Sequence, residues 1–339
     1  MTISVAIVED SSIIRAQLSR VIAQHPGYQI TVSAMHPVQA LDKMATSWPD
    51  VIISDIEMPV MDGLTFLKKI MADQPTPVVI CSGVAGRGSR NAVEALSLGA
   101  VEIVEKPQGR SNDERTGFEN SLMQALDAAS RANVAKHVST PKPIPASLSS
   151  LTRPQIIAIG SSTGGCTALE TILKDLPADC PPICIVQHLP KRFTASFAKR
   201  LNGLCAMEVK EARSGEPVGS GQVFVAPGDQ HLTIENRRGR PFTRLTDNSA
   251  VSGHKPSATV LFDSIAKNFS GNTMGIILTG MGEDGAAGLF KMHQKGATTL
   301  AQDEETCVVY GMPRVAVKIG AVKESLPLPS IAGTIIQSL

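Results

Sequence analysis

A serine lies in a glycine-rich turn near the middle of the chain, within the run from Gly160 to Gly165. The apolar stretch 156–159 precedes this run, and the stretch 167–173 after it repeats apolar residues at helical spacing. A strand, a tight turn and a helix in that order, with small residues around Ser162, are typical of a nucleophile elbow, in which a sharp turn exposes the serine hydroxyl above a sheet edge. We therefore take Ser162 as the candidate nucleophile.

The turn alone leaves two other roles open. A dinucleotide-binding turn has a similar pattern, but it needs a glycine where Ser162 stands, because the backbone must approach a pyrophosphate closely. A serine just before a helix also commonly caps that helix. The chemistry of Ser162 therefore depends on whether a base and a carboxylate accompany it.

Two further polar residues follow apolar runs in the same half of the chain. His188 comes directly after residues 182–187, and Asp284 lies in a glycine-rich turn after residues 274–279. If these runs and the strand before Ser162 are parallel neighbours, their carboxyl ends bring the three side chains to one sheet edge. A serine needs a base to accept its proton, and the base needs a carboxylate to hold its tautomer. The sequence predicts Ser162 as nucleophile, His188 as base and Asp284 as the residue that orients the base.

The oxyanion formed by such an attack needs hydrogen-bond donors. Backbone N–H groups near Thr163 and in the loop at Met281 are the expected source, and the start of the following helix adds positive potential. The chain order serine, histidine, aspartate differs from the order serine, acid, histidine of the α/β-hydrolases. The site is therefore expected to belong to a separate family.

Other residues of suitable type compete for these roles. Glu283 is the closest competitor of Asp284, because the sequence does not decide which carboxylate faces the site. Cys166 is expected to be a small core residue of the helix that follows the turn. We expect His231 and His254 at the surface, in a turn and a loop. The remaining alternatives lie in a predicted helix or lack a comparable apolar run before them: His293, Asp229, Asp263 and Asp303.

A second group of reactive residues lies in the N-terminal third of the chain, each at the end of an apolar run. A parallel sheet would gather them at its carboxyl edge. Neighbouring carboxylates repel one another unless a cation joins them, and Mg²⁺ with its oxygen ligands suits such a cluster. The ion would also neutralise a phosphoryl group attacked by a carboxylate, and we take the central acid, Asp55, as that nucleophile. The gathered residues are Glu9, Asp10, Asp55, Ser82 and Lys106.

The elements that must position these residues form two α/β domains. Residues 1–136 are predicted to be a flavodoxin-like domain with a doubly wound, five-stranded parallel sheet. Prolines and serines in residues 137–154 predict an extended linker. Residues 155–339 are predicted to be a Rossmann-like α/β/α domain with a mainly parallel sheet and an antiparallel hairpin. The predicted strands of the first domain are 3–8, 29–33, 51–54, 77–81 and 101–104, and its predicted helices include 12–22, 63–70 and 118–129.

Composition narrows the class of protein. The chain has 339 residues and a formal net charge of +1, so no overall field favours nucleic acid or an acidic membrane surface. Six cysteines without paired spacing indicate free thiols in a reducing compartment rather than disulfides or zinc. No secretion signal and no apolar run of about 20 residues is found, so we expect a cytoplasmic protein without membrane insertion. We also expect a monomer.

The N-terminal domain resembles a two-component receiver. This resemblance implies that Asp55 accepts phosphate from a histidine kinase, that the three carboxylates bind Mg²⁺, and that Ser82 and Lys106 sense the phosphoryl group. Many receivers have an aromatic switch residue three positions before the lysine, where this chain has Ile103, so transmission by a swinging ring is not expected. The motifs that carry the resemblance are Val8-Glu9-Asp10-Ser11, the run from Asp55 to Gly63, Cys81-Ser82-Gly83 and Glu105-Lys106-Pro107.

The C-terminal domain resembles the catalytic domain of the CheB family of chemotaxis methylesterases. The resemblance implies hydrolysis of glutamyl methyl esters on chemoreceptors with release of methanol, and deamidation of receptor glutamines by the same acyl chemistry. Ser162, His188 and Asp284 align with the family's triad, and Thr163 and Met281 with its oxyanion region. The motifs are Ile159 to Gly165, Gln187 to Pro190, Phe193 to Ala198, Val225 to His231, Leu278 to Gly285 and Gly311 to Pro313.

The two resemblances together span the chain. They imply an esterase whose active site is covered until the receiver is phosphorylated, recruited from the cytoplasm to membrane receptor arrays and needing no metal for the ester chemistry. Small departures from the family pattern are Ser161, where alanine is frequent, and Glu283, where asparagine is frequent. Alternatives are a regulator of a sensory array outside chemotaxis and a non-catalytic receptor-binding module. A DNA-binding regulator has little support, because no basic helix-turn-helix segment is found.

Overall fold

The computed structural model describes residues 2–83, 87–106, 112–134, 148 and 152–339, with the backbone alone for 87–89, 112 and 113. The chain divides into two compact units, Met1–Ala135 and Lys136–Leu339. Each unit has its own sheet and its own hydrophobic core. The predicted linker lies almost entirely outside the described residues, apart from Leu148, which is buried, and residues 152–154.

The first unit contains a five-stranded parallel sheet with the order β2-β1-β3-β4-β5. Buried β-branched residues dominate its central strands, which is typical of parallel sheets covered on both faces. The strands are β1 Ile3–Val8, β2 Tyr28–Ala34, β3 Val51–Ser54, β4 Val78–Ser82 and β5 Glu102–Glu105. The helices are α1 Ser12–Ala23, α2 Pro37–Met44, α3 Gly63–Asp73, α4 Arg87–Ser97 and α5 Asn112–Ser130.

The predicted strands of this unit agree with the observed ones to within one residue at each end. The last helix begins at Asn112, six residues before the predicted start at Phe118. The reason is that the prediction relied on apolar spacing, and the first turn of α5 consists of polar residues that carry no such signal.

The second unit contains a seven-stranded parallel sheet with the order β14-β13-β12-β6-β7-β9-β8 and a separate antiparallel hairpin, β10-β11. The strands are β6 Ile157–Ser161, β7 Ile183–Gln187, β8 Glu208–Glu211, β9 Gln222–Val225, β10 His231–Arg237, β11 Arg240–Thr246, β12 Met274–Ile277, β13 Thr298–Gln302 and β14 Glu324–Leu326. The helices are α6 Gly165–Leu173, α7 Lys191–Asn202, α8 Ala258–Asn268, α9 Ala286–Gln294, α10 Met312–Lys318 and α11 Leu328–Gln337. The predicted fold class is confirmed.

Strand β6 is the point at which the chain changes direction across this sheet. Its neighbours are β7 on one side and β12 on the other, so the crossover after β6 runs one way and the later return to β12 runs the other. Open α/β sheets gather ligands at the carboxyl ends of strands at such a switch point. The three strands that the sequence predicted as neighbours therefore meet where a site is expected.

Among the described residues, no helix is both long enough and apolar enough to cross a membrane.

Candidate active site

Ser162 lies one residue beyond the end of the central strand β6. Ser161, the last residue of β6, is paired with Gln187, the last residue of β7, so Ser162 and His188 leave adjacent strands at the same level. Helix α6 begins later, with Gly164 as its N-cap residue at a φ of 75°. Ser162 therefore does not cap the helix, and the left-handed step of the turn falls on a glycine, which adopts it without steric cost.

The turn is held by a buried pair of polar side chains. Ser161 Oγ donates to Gln187 Oε1 at 2.7 Å, and Gln187 Nε2 donates to the carbonyl oxygen of Ser162 at 2.9 Å. The Gln187 side chain passes so close to Gly165 that a Cβ at this glycine would collide with it. The sequence alone did not identify Gln187 as a residue that holds the serine turn. Its position directly before His188, in the motif from Gln187 to Pro190, was the signal that could have identified it.

His188 bridges the site between the serine turn and a buried carboxylate. Its Nε2 lies 2.9 Å from Asp284 Oδ2, and its backbone N–H donates to the carbonyl oxygen of Ser161 at 3.1 Å. A hydrogen bond to a carboxylate requires the proton on Nε2, which leaves Nδ1 as the basic nitrogen of the neutral ring. This Nδ1 is buried and has no hydrogen-bond partner in the part of the chain that the structure describes. In the serine proteases the histidine binds the aspartate through Nδ1 and uses Nε2 as the base, so the two ring nitrogens have exchanged roles in this site.

Asp284 is fixed by the start of helix α8 as well as by His188. Its carboxylate accepts hydrogen bonds from Ser257 Oγ at 2.6 Å, the N–H of Ala258 at 2.7 Å and the N–H of Thr259 at 3.2 Å. Burial alone would raise the pKa of Asp284, but the hydrogen bonds from His188 and from α8 outweigh it and hold this pKa well below its ordinary value. The residue therefore stays ionised at neutral pH.

Glu283 and Asp284 have opposite environments. Glu283 is exposed, whereas only 1 % of Asp284 is accessible to solvent, so Asp284 is the carboxylate that meets the histidine. The other candidate acids lie elsewhere: Asp229 is exposed, Asp263 pairs with Lys291, and Asp303 accepts hydrogen bonds from Thr306. Cys166 is buried in α6, as expected, and His293 contacts Thr299 at 2.9 Å.

The surface placement expected for two histidines is wrong. His231 is fully buried at the start of β10, where Nδ1 accepts from the N–H of Ser257 and Nε2 lies 3.0 Å from the carbonyl oxygen of Ser249. His254 is half-buried, and its ring stacks on that of His188 with centroids 3.8 Å apart. The loop context suggested exposure, but the tertiary fold brings both residues inward, one beside the capping serine of α8 and the other onto the base.

The predicted oxyanion donors lie in two loops held together beside Ser162. The hydroxyl of Thr279 donates to the carbonyl oxygen of Thr163 at 2.9 Å, and a Cβ at Gly280 would come within 2.8 Å of Ser162 Cβ. The N–H of Ser162 donates to the carbonyl oxygen of Thr279 at 3.0 Å, so it is already engaged with the second loop. The N–H of Met281 donates to none of the described residues and is therefore available to donate to a ligand oxygen.

In the first unit, the predicted acidic cluster forms at the carboxyl edge of the sheet. The carboxylates of Glu9, Asp10 and Asp55 lie within 4.8 Å of one another. Lys106 Nζ lies 2.7 Å from Glu9 and 2.6 Å from Asp55. Burial raises the pKa of Glu9, opposed by its contact with Lys106. Ser82 is buried at the end of β4.

The donor set of this cluster fits a magnesium ion. Mg²⁺ prefers oxygen ligands and keeps several water molecules, so a site with one exposed and two buried carboxylates suits it. The buried carboxylates also need positive charge beyond that of Lys106, because two negative charges are held against one ammonium. Ile103 is buried in β5, and its side chain offers no ring to move toward the site.

Comparisons with known proteins give the family. A family model described as CheB methylesterase matches residues 157–335, and one described as response regulator receiver domain matches residues 5–113. A protein-glutamate methylesterase/protein-glutamine glutaminase of Dechloromonas aromatica is 45% identical over 98% of this chain and 97% of its own length. One of Shewanella oneidensis is 46% identical over 98% of both chains. The crystal structure of the Thermotoga maritima CheB methylesterase catalytic domain is 40% identical, with a TM-score of 0.54, over 55% of this chain and 99% of its own.

A receiver joined in one chain to a parallel α/β unit with a serine, histidine and aspartate at its switch point defines a response regulator with a hydrolase output domain. The chain belongs to the CheB methylesterase family. The family, the fold class and the enzyme class predicted from the sequence are thereby confirmed.

Proposed function

We propose that this chain hydrolyses glutamate methyl esters on chemoreceptors, using Ser162, His188 and Asp284. His188 Nδ1 removes the proton of Ser162 Oγ as this oxygen attacks the ester carbonyl, and ionised Asp284 stabilises the imidazolium through Nε2. The backbone N–H groups of Thr163 and Met281 donate hydrogen bonds to the oxyanion. Methanol leaves with the proton from His188, and water, activated by the same nitrogen, releases the glutamate.

The same acyl enzyme accounts for deamidation of receptor glutamines. Attack of Ser162 on a glutamine side chain gives an identical glutamyl ester, with ammonia instead of methanol as the leaving group. The relatives named as both protein-glutamate methylesterase and protein-glutamine glutaminase support this dual activity.

The observation that carries the proposal is the state of the His188 ring. One nitrogen is bound to a buried aspartate, while the other is buried and has no hydrogen-bond partner among the described residues. A buried polar atom without a hydrogen bond is costly in a merely structural site. It is expected of a base that acquires its partner when substrate orders the site.

The test is release of methanol from methylated receptor membranes in the presence of a small phosphodonor. We expect Ser162→Ala to lower kcat by at least about a thousandfold. The matched control is Thr171→Ala, which removes a hydroxyl from α6 that bonds only within the helix to the carbonyl oxygen of Thr167. Near-normal turnover by Ser162→Ala would contradict the mechanism, and receptor binding without turnover by the unaltered chain would favour a binding module.

We also propose that phosphorylation of Asp55 by a histidine kinase regulates access to Ser162, with Ser82 and Lys106 sensing the phosphoryl group. Bound Mg²⁺, held by Glu9, Asp10 and Asp55, would neutralise the incoming phosphoryl group. The substrates and the kinase imply that the protein works in the cytoplasm at membrane receptor arrays, and we expect it to act as a monomer.

A further inference from the structure

His254 lies face to face with the proposed base. The two imidazole rings are 3.8 Å apart between centroids and within 10° of parallel. The segment that carries His254, between β11 and α8, is closed on itself by reciprocal backbone hydrogen bonds between Val251 and His254, at 3.0 and 3.1 Å. The next residue, Lys255, forms an ion pair with Asp247, with Nζ 2.8 Å from Oδ1. The stacked ring is therefore presented by a locally fixed loop.

The base needs a restraint of this kind. The hydrogen bond from His188 Nε2 to Asp284 fixes one point of the ring, about which the ring can still tilt. A tilt would displace Nδ1, the nitrogen that must reach Ser162 Oγ in the proposed mechanism, and small displacements of catalytic groups are costly in rate. A flat partner packed on one face limits this tilt, and stacked aromatic pairs are stabilising beyond the area that they bury.

We propose that His254 is a positioning residue for His188: its ring fixes the plane of the base and stabilises the imidazolium through its π face. His254 touches neither Ser162 nor the ester in this scheme and acts only through His188. The inference rests on the proposed triad mechanism and adds a fourth side chain to it.

The role requires His254 to remain neutral while His188 gains a proton, because two stacked cations would repel. Burial and the neighbouring His188 lower the pKa of His254 to about 4, against the opposing effect of Asp284. The loop also contains the charges of Asp247 and Lys255, which are paired with each other. A neutral aromatic ring over a cation is attractive, and His254 is in that state at neutral pH.

The test uses the full chain with phosphodonor and measures methanol release and the rate at which a fluorophosphonate labels Ser162. We expect His254→Leu, which fills the space without a π face, to lower kcat and the labelling rate on the order of tenfold, with KM within about twofold. His254→Phe restores the flat ring and is expected to recover most of the rate. Asn248→Ala is the matched control in the same loop, because this residue is exposed, and it is expected to keep normal kinetics.

A double-mutant cycle shows whether the effect passes through the base. In a His188→Ala background, His254→Leu is expected to cause no further loss of labelling. An equal loss in both backgrounds, or a His254→Leu variant as active as the unaltered chain, would overturn the inference. If Ser162→Ala is inactive while His254→Leu is normal, the triad stands and only the role of His254 fails. Full activity of Ser162→Ala would overturn the triad itself.

Discussion

At the scale of single residues, the proposed ester hydrolysis depends on the ionisation of Asp284, which its neighbours control through hydrogen bonds. Its carboxylate is buried, yet the hydrogen bonds and charge of His188 and the hydrogen bonds from Ser257 and Ala258 keep its pKa low. A carboxylate with this environment is a permanent negative charge near neutral pH. It can therefore stabilise the imidazolium of His188 without taking up the proton itself.

Asp284→Asn is expected to lower kcat for methanol release by about 10³–10⁴-fold with little change in KM. An amide carries no charge to stabilise the imidazolium, and its NH₂ group can donate to Nε2, which would force the proton onto Nδ1. Glu283→Gln is the matched control, because this neighbouring carboxylate is exposed. If Glu283→Gln lost activity to the same extent, the assignment of the acid would be wrong.

At the scale of elements, helix α8 connects the hairpin to the site. Ser257, directly before α8, donates through Oγ to Asp284, and its own N–H donates to the buried ring of His231. The start of a helix attracts negative charge, since its first N–H groups lack partners within the helix. The orientation of Asp284 thus depends on a helix that contributes no catalytic side chain.

Ser257→Ala is expected to lower the free energy of unfolding of the catalytic unit by about 1–3 kcal/mol, because a hydrogen bond to a buried charged group is lost. We expect kcat to fall several-fold, less than for Asp284→Asn, since the backbone donors of α8 remain. Thermal unfolding and methanol release measure the two effects. Ser249→Ala is the control, because only its backbone carbonyl contacts His231; equal loss of activity in this variant would point to general disruption of the hairpin.

The sequence was sufficient for those parts of the site that follow strands. Apolar runs before Ser162, His188 and Asp284 predict parallel strands, and parallel strands bring their carboxyl ends to one edge. The same logic places Asp55 and Lys106 together. His254 could not be found in this way, because a loop has no periodicity, and its contact with His188 joins residues 66 positions apart without a shared motif. The choice between Glu283 and Asp284 likewise needed the direction of each side chain.

At the scale of the whole molecule, the proposed phosphorylation of Asp55 would couple two units that have separate cores. The receiver holds Glu9, Asp55 and Lys106 as a buried ionic group in which phosphorylation would change both the charge and the partner of the lysine. Such a change can bias an equilibrium between two arrangements of the protein. Because Ile103 offers no aromatic ring, the signal is expected to pass through the backbone around Ser82 and Lys106 instead.

The last prediction separates this regulation from catalysis. A small phosphodonor with Mg²⁺ is expected to raise methanol release by the full chain roughly five- to hundredfold, a common range for coupling between sites. Asp55→Asn is expected to abolish the stimulation but retain basal activity, and chelation of Mg²⁺ is expected to do the same. Asp73→Asn is the matched control, since Asp73 is an exposed receiver acid paired with Lys69. Persistent stimulation of Asp55→Asn would place the control point elsewhere, whereas loss of its basal activity would show that the receiver acid supports the fold of the enzyme and not only its regulation.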